Sequence, residues 1–175
     1  VGRTKTISDS LCSLKIAAIS CSDYQRGFFN AYGSLADEDL DAVIHLAADH
    51  SVPKSIMSPA ETYYNNVANS VALLKHCVKN GVKHFVFSSS SSVYGNSDFF
   101  VNSESDPTNP LTPYGKSKRM IEQILSDFSK AYDLNYASLR YFNAAGSYEG
   151  LGYTLNPKQH LVPILVNAGL NDEVF

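Results

Sequence analysis

The chain has 175 residues, of which 44% are hydrophobic and 18% are charged, so it can fold around a packed core and is not expected to be disordered. Its 14 basic and 17 acidic residues give a formal net charge of -3, which argues against a protein held to nucleic acid by a basic face. No apolar run reaches the roughly 18–20 residues of a membrane span, and we expect neither a membrane segment nor a signal peptide.

The cysteine pattern points to a reducing compartment. Cys12, Cys21 and Cys77 are odd in number and widely spaced, with no CxxC pair and no histidine-rich segment beside them. They predict neither a disulfide framework nor a zinc site. We therefore expect reduced thiols, no metal and a cytoplasmic location.

Strands are predicted in two places in the first third of the chain. Lys15 to Ser20 is a short apolar stretch that can form a strand, whereas residues 1–14 show no convincing period. Ala42–Ala48 is an apolar run typical of a strand that lies buried on both faces of a parallel sheet.

A helix is predicted next. Ser58 can cap it, Pro59 suits its first position, and Glu61 completes a capping box. Apolar residues then recur at spacings of four, three and four until Asn80-Gly81 ends the pattern. These apolar residues are Val67, Val71, Leu74 and Val78.

The alternation of strand and helix continues in the second half. His84–Phe87 predicts a buried strand that runs into five serines, Ser88 to Ser92. A second helix is expected from Thr112-Pro113, with an apolar face of Ile121, Ile124, Leu125 and Phe128, and Tyr136–Phe142 predicts a further strand. Because strands and helices alternate with short connections, the chain predicts an α/β fold with a doubly wound parallel sheet.

Polar residues cluster where such a fold binds ligands, which is outside the carboxyl ends of the strands. These clusters are His45–His50, Ser88–Ser92 and Asn143 with its neighbours. In the second predicted helix, Tyr114 and Lys118 are four residues apart and therefore share one face.

The tyrosine and lysine together suit the oxidation of an alcohol. A phenol with a reference pKa near ~10 is a poor base at neutral pH, and an ammonium one helical turn away lowers that pKa. A serine hydroxyl across the cleft can bond a substrate alcohol while a nicotinamide cofactor accepts the hydride.

Several motifs in a fixed order resemble the extended short-chain dehydrogenase/reductase superfamily, and within it the UDP-glucose 4-epimerase family, over roughly Asp41 to Pro163. The matching segments are Val43–Asp49, Tyr63–Val67, Phe87–Gly95, Pro113–Lys118 and Arg140–Asn143.

The resemblance implies NAD as the cofactor and a UDP-sugar as the substrate. Tyr114 would be the catalytic base, Lys118 would lower its pKa and bond the nicotinamide ribose, and Ser90 would hold the sugar hydroxyl. The residues implied to contact the cofactor are Asp23, Ala47, Ala48, Asn65, Ser88, Tyr114, Lys118, Tyr141 and Phe142. Those implied to contact the nucleotide sugar are Ser90, Tyr114, Asn143, His160 and Leu161.

The resemblance also implies a reaction that interconverts UDP-glucose and UDP-galactose. Bound NAD takes hydride from C4 of the sugar, and the hydride returns to the other face of a transient 4-keto sugar. Related dehydratases carry Asp-Glu before the Val-Tyr-Gly, and related decarboxylases carry Glu in place of Ser92. Here the two positions are Ser91 and Ser92, which favours epimerisation. Another nucleotide sugar, or an inactive truncated remnant, remain alternatives.

The amino-terminal part departs from the pattern of the superfamily. That pattern opens with a Gly-x-x-Gly-x-x-Gly turn, whose glycines let the backbone approach the pyrophosphate. Only Gly2, Gly27 and Gly33 precede Gly81, and the glycines of Gly146–Gly152 have the wrong spacing. We therefore expect a fragment, with a partial NAD-binding, Rossmann-like domain at residues 1–145 and the start of a substrate-binding domain at 146–175. The resemblance further allows a homodimer through the two helices.

Overall fold

The computed structural model of the chain describes residues 13–20, 38–96, 101–144, 146, 149 and 161–170. The chain divides into two compact units, Val1–Arg140 and Tyr141–Phe175. Asp23 and His160, both predicted to contact ligands, lie outside the described residues.

The described strands form one sheet in the order β1-β2-β3-β4. They are β1 (Ile16–Ile19), β2 (Ala42–His45), β3 (His84–Ser90) and β4 (Asn135–Tyr141). β1 pairs with β2 and β2 with β3 in parallel, which aligns Ala17, Val43 and Phe85 across the sheet. All three are buried, so they lie on the core face of the sheet. The predicted α/β class, the parallel sheet and the strand within Lys15–Ser20 are therefore confirmed.

The helices follow the strands in the predicted alternation. They are α1 (Val52–Met57), α2 (Pro59–Tyr63), a π-helical turn (Tyr64–Ala68), α3 (Asn69–Lys79), a 3-10 turn (Ser91–Val93), α4 (Pro113–Tyr132) and, in the second unit, α5 (Leu161–Leu170). Among these described helices, none has both the length and the apolar character that crossing a membrane requires.

The helix predicted from Pro59 begins there, but the predicted capping box is wrong. The side chain of Ser58 makes no capping hydrogen bond. Its backbone N–H donates to the carbonyl of Lys54 at 2.8 Å, which closes the end of α1. Ser58 thus separates two consecutive helices, and its backbone geometry (φ -132°, ψ 65°) serves the end of the first as much as the start of the second.

The predicted end of α3 at Asn80-Gly81 is confirmed, and it has a specific geometry. Gly81 adopts a φ of 77°, which only glycine tolerates without strain. Its N–H donates to the carbonyl of Val78, and the N–H of Val82 donates to the carbonyl of Cys77. This pair of bonds is a Schellman motif, and it turns the chain directly into β3.

One hydrophobic cluster joins the sheet to α3 and α4. Leu74, Ile121 and Leu125, all on the predicted apolar faces, are fully buried in it. Val67, Ile124 and Phe128 pack at its edge. The remaining buried members are Ala17, Val43, Cys77, Val82, Phe85, Phe87 and Leu134.

His45 is the buried titratable residue at the end of β2. Its ring centroid lies 6.0 Å from that of Phe85 and 5.9 Å from that of Phe87. Its Nε2 is 2.9 Å from Oγ of Ser70, whose own hydrogen is donated to the carbonyl of Asn66 at 2.6 Å. Nε2 must therefore carry the imidazole hydrogen. Burial, aided by the charge of Lys118, lowers the pKa of His45 to about 4, so the ring is neutral at physiological pH.

This depressed pKa makes stability depend on pH. Between pH 6.5 and 4 the unfolded chain binds a proton at His45 that the folded chain does not, so the free energy of unfolding falls as the pH is lowered through this window. We expect the unaltered chain to lose about 3 kcal/mol more than His45→Gln between pH 7 and pH 4 in urea unfolding. His84→Gln, at an exposed position, should keep the full pH dependence. Equal slopes for the unaltered chain and His45→Gln would contradict the assignment.

Candidate active site

The ammonium of Lys118 is buried where β3 ends and α4 begins. The residue is only 2% exposed, and its Nζ donates to the backbone carbonyl of Ser88 at 2.8 Å. Nζ also lies 4.9 Å from the ring centroid of Phe87 and 5.7 Å from that of Tyr114. Both distances fall within the range of cation–π attraction, which partly replaces the lost hydration of the charge. The structure thus brings the ammonium and the phenol ring together, as their four-residue spacing predicts.

The start of α4 is determined by its cap. Thr112 accepts a hydrogen bond from the N–H of Gly115 through its side chain, and Pro113 occupies the first helical turn. Tyr114 therefore lies in the first turn and Lys118 one turn later. The hydroxyl of the buried Ser117 donates to the carbonyl of Tyr114 at 2.7 Å. These contacts hold the turn that carries the phenol.

Gly115 allows α4 to approach the 3-10 turn that follows β3. A Cβ at this position would lie 2.6 Å from the carbonyl oxygen of Ser92 and 3.2 Å from Cβ of Pro110. The first distance is too short for any side chain, and its partner is backbone that cannot rotate away. The glycine between Tyr114 and Lys118 is therefore required for the first turn of α4 to lie against the 3-10 turn that follows β3.

The serines at the end of β3 have different surroundings. Ser89 donates its hydroxyl to Glu122 in the buried space between β3 and α4. The hydroxyl of Ser90 donates to the hydroxyl of Ser92 at 3.2 Å. It also accepts a hydrogen bond from the backbone N–H of Ser92 at 3.2 Å. Ser89 is therefore committed to a structural carboxylate, which favours Ser90 over Ser89 as the hydroxyl offered to a ligand.

Asn66, in the π-helical turn, links the loop after β2 to α4. Its Oδ1 accepts from the N–H of Asp49 at 2.7 Å, and its Nδ2 donates to the carbonyl of Asp49 at 3.0 Å and to Oγ of Ser117 at 3.1 Å. The side chain is 1% exposed. It thereby fixes the loop that contains Ala47 and Ala48 relative to the helix that carries Tyr114.

Sequence reasoning selected the neighbouring Asn65, which is exposed, and overlooked Asn66. The buried positions of this helical segment include Asn66, Ser70, Leu74 and Cys77. They are four, four and three residues apart, so a stripe that admitted polar residues would have found Asn66. The predicted apolar stripe of Val67, Val71, Leu74 and Val78 is displaced by one residue from the buried face at every position except Leu74. Val71 and Val78 are accordingly only half-buried.

The other predicted ligand contacts are distributed over both units. Ala47 and Ala48 are half-buried directly after β2, in the first unit. In the second unit, Tyr141 is the last residue of β4 and is 44% exposed, and Phe142 after it is 61% exposed. Asn143 is also exposed, as is Leu161, the first residue of α5. Within the described ranges, no group of three His, Cys, Asp or Glu side chains could hold a metal ion.

Replacing Gly115 by alanine tests the close approach of α4. The added methyl group overlaps the carbonyl of Ser92, so α4 must move away from the 3-10 turn. We expect a loss of roughly 1–3 kcal/mol in the free energy of unfolding by urea, the usual cost of overpacking. Gly169→Ala in α5, where nothing lies within 4 Å of the added atom, is the matched control and should cost nothing. A Gly115→Ala chain as stable as the unaltered one would show that the approach is not tight.

Known proteins resemble this chain in sequence. The family profile described as "NAD dependent epimerase/dehydratase family" matches residues 30–173. A UDP-glucose 4-epimerase of Lactobacillus helveticus is 40% identical over 141 residues, which are 79% of this chain and 43% of the relative. A UDP-glucose 4-epimerase of Halalkalibacterium halodurans is 42% identical over 133 residues, which are 75% of this chain and 40% of the relative. The chain thus spans about two fifths of the length of these relatives.

Solved structures show the same likeness. The UDP-glucose 4-epimerase of Brucella ovis, crystallised with NAD, superposes with a TM-score of 0.74 at 35% identity, over 82% of this chain and 45% of that one. A UDP-N-acetylglucosamine 4-epimerase of Methanobrevibacter ruminantium superposes with a TM-score of 0.69 at 38% identity, over 78% and 43% of the two chains. These superpositions confirm the doubly wound, Rossmann-like fold class predicted from the sequence.

Proposed function

Because the chain belongs to the NAD dependent epimerase/dehydratase family, we propose that it carries the reacting centre of a UDP-glucose 4-epimerase. The whole protein would interconvert UDP-glucose and UDP-galactose, with NAD as cofactor. The observation that carries this proposal is the buried ammonium of Lys118 beside the ring of Tyr114, at the serine-rich end of β3. In the proposed site the ammonium would stabilise the phenolate of Tyr114, the proton acceptor, and Ser90 would orient the substrate alcohol.

The described residues suit the nicotinamide half of NAD. Lys118 offers donors for ribose hydroxyls, and the small Ala47 and Ala48 leave space beyond the end of β2. The glycine-rich turn that commonly binds the pyrophosphate does not occur in the sequence. We assign the following residues to contacts with NAD: Ala47, Ala48, Asn65, Ser88, Tyr114 and Lys118, together with Tyr141, Phe142 and Asp23. When bound, NAD would accept hydride from C4 of the sugar and return it to the resulting 4-keto sugar.

Proton transfer is the work of the chain itself. In the proposed reaction the Tyr114 oxygen takes the proton of the sugar 4-hydroxyl and later returns it. The Lys118 ammonium would favour the phenolate through its charge. Ser90 would hold the sugar hydroxyl toward the phenol. Asn143, His160 and Leu161 are proposed to contact the nucleotide sugar.

Replacing Tyr114 by phenylalanine tests the proposed base. The ring remains but the oxygen that moves the proton is lost, so turnover of UDP-galactose to UDP-glucose should fall by at least ~100-fold. A coupled assay that oxidises the UDP-glucose formed measures the rate. Tyr132→Phe, at an exposed position near the end of α4, should retain full turnover. A Tyr114→Phe chain with near-normal turnover would refute the assignment.

Replacing Lys118 by methionine tests the charge beside the phenol. Methionine keeps an apolar stem of similar length but removes the ammonium, so the phenol pKa and the pH optimum should both rise. The measurement is the pH dependence of turnover. Lys116→Met, two residues away and exposed, is the matched control and should leave the profile unchanged. An unaltered profile in Lys118→Met would argue against the role.

A second nucleotide sugar is a specific alternative. The Methanobrevibacter ruminantium relative, 38% identical to this chain, is a UDP-N-acetylglucosamine 4-epimerase. Turnover of UDP-N-acetylglucosamine at a higher kcat/KM than that of UDP-glucose would replace the proposed substrate and keep the chemistry. A folded chain that converts neither sugar and binds no NAD would reject the proposed function in favour of an inactive remnant.

We further infer a homodimer through α3 and α4, in the cytoplasm. α4 buries Ile121 and Leu125 on one side and leaves the neighbouring Met120 exposed, so apolar area remains for a partner. Cys77 is free and buried, which suits a reducing compartment.

A further inference from the structure

A buried charge cluster lies beside the candidate active site. The carboxylate of Glu122, one helical turn after Lys118 on α4, is only 5% exposed. Its Oε1 accepts from the hydroxyl of Ser89 at 2.6 Å and from Nε of Arg140 at 3.0 Å. Its Oε2 accepts from Nη2 of Arg140 at 2.9 Å and from Nη1 of Arg119 at 3.2 Å. Side chains from β3, β4 and α4 thus meet on one carboxylate.

This carboxylate remains charged although it is buried. Burial alone would raise the pKa of Glu122, but hydrogen bonds from Arg140 and Ser89 hold it below its ordinary value. The same bond to Glu122 raises the pKa of Arg140 further above its already high value. The two-point contact between guanidinium and carboxylate also fixes direction, because both groups are planar. The pair therefore locates β4 relative to α4 in distance and in rotation.

Arg140 extends the cluster to the other side of the serine turn. Its Nη1 donates to the hydroxyl of Tyr94 at 2.9 Å and to the carbonyl of Glu104 at 3.2 Å, and its guanidinium lies 4.8 Å from the centroid of the Tyr94 ring. Ser89 and Tyr94 immediately flank the segment from Ser90 to Val93. A chain of contacts therefore runs from Ser89 through Glu122 and Arg140 to Tyr94, and both ends of the segment are anchored to one ion pair.

We propose that Glu122 and Arg140 are positioning residues that fix the Ser90 hydroxyl by anchoring Ser89 before it and Tyr94 after it. The proposal rests on the proposed function in one respect, namely that the Ser90 hydroxyl holds the sugar hydroxyl. Neither residue is proposed to touch substrate or cofactor. Lys118 holds the carbonyl of Ser88 from the preceding turn of α4, so successive residues of β3 are held by successive turns of one helix. The spacing between Ser90 and the phenol would follow from this arrangement.

The sharpest test removes single hydroxyl groups and leaves the ion pair intact. Ser89→Ala deletes the bond to Glu122, and Tyr94→Phe deletes the bond to Arg140. Hydrogen exchange by NMR then reports two amides inside the segment. The N–H of Ser92 is bonded to Oγ of Ser90, and that of Tyr94 to the carbonyl of Ser91. We expect both amides to exchange at least ~10-fold faster in either variant, relative to the amide of Val43 in β2.

Matched controls separate positioning from general stability. Ser55→Ala deletes a buried hydroxyl that donates to the carbonyl of Val52 at 2.7 Å, and Tyr132→Phe deletes an exposed one. Both should leave the ratio of exchange rates unchanged. A purely structural role for the cluster would accelerate exchange at Ser92, Tyr94 and Val43 in proportion, and that result would overturn the proposal.

Turnover gives a second readout. In Ser89→Ala, kcat for UDP-glucose should fall about 10-fold or more while KM stays within about twofold, because Ser90 is displaced without loss of the nucleotide contacts. An unchanged kcat together with unchanged exchange at Ser92 would also overturn the proposal. If the unaltered chain converts neither sugar and binds no NAD, the proposed function fails, whereas the exchange ratio still decides whether Glu122 and Arg140 hold the serine segment.

Discussion

The arrangement of the site depends on one buried cation. Taking the ammonium of Lys118 out of water is costly, and the chain offsets the cost with the carbonyl of Ser88 and the aromatic faces of Phe87 and Tyr114. These groups come from the end of β3 and the start of α4, so the charge is tolerated only while the two elements are in close contact. Gly115 makes that contact possible, because its missing side chain leaves room for the carbonyl of Ser92. Gly115 has no side-chain chemistry, but it is required for the packing that buries the ammonium.

Much of this could be predicted from the sequence, because the relevant signals are local. The apolar runs around Val43 and Phe85 indicate strands buried in a sheet, and both are buried in the structure. The start of α4 follows from Thr112 and Pro113, which cap the helix as their residue types suggest. Once that start is known, the spacing of Tyr114 and Lys118 places both on one face without any knowledge of the tertiary structure. Local chemistry and helical period were sufficient there.

The failures have physical causes. Ser58 has the residue type of a helix cap, but its backbone N–H bonds to the last turn of the preceding helix and its side chain caps neither helix. A sequence pattern that considers one helix at a time does not contain this information. Asn66 was missed because the stripe was read from apolar residues alone, whereas the buried face of this helical segment also contains the polar Asn66 and Ser70. The cluster of Glu122 with Arg140 joins residues that are 18 positions apart on a helix and a strand, so no periodic sequence pattern indicates it. Contacts that depend on how the elements pack could not be predicted from the sequence.

The apolar and polar contacts of α4 determine different properties. Ile121 and Leu125 pack the helix against the sheet, but apolar contacts have no preferred direction and therefore tolerate small rotations and shifts of the helix. Hydrogen bonds do not tolerate such rotations and shifts, because they depend on direction. Ser117 bonds to Asn66, Lys118 to Ser88 and Glu122 to Ser89, so the face of the helix near the candidate site is set by directional bonds at two successive turns. The apolar face therefore contributes mainly to stability, whereas the polar contacts fix the orientation of α4 relative to the end of β3. The proton transfer proposed for Tyr114 needs a separation finer than apolar packing alone can specify, and the directional bonds of Ser117, Lys118 and Glu122 would supply it.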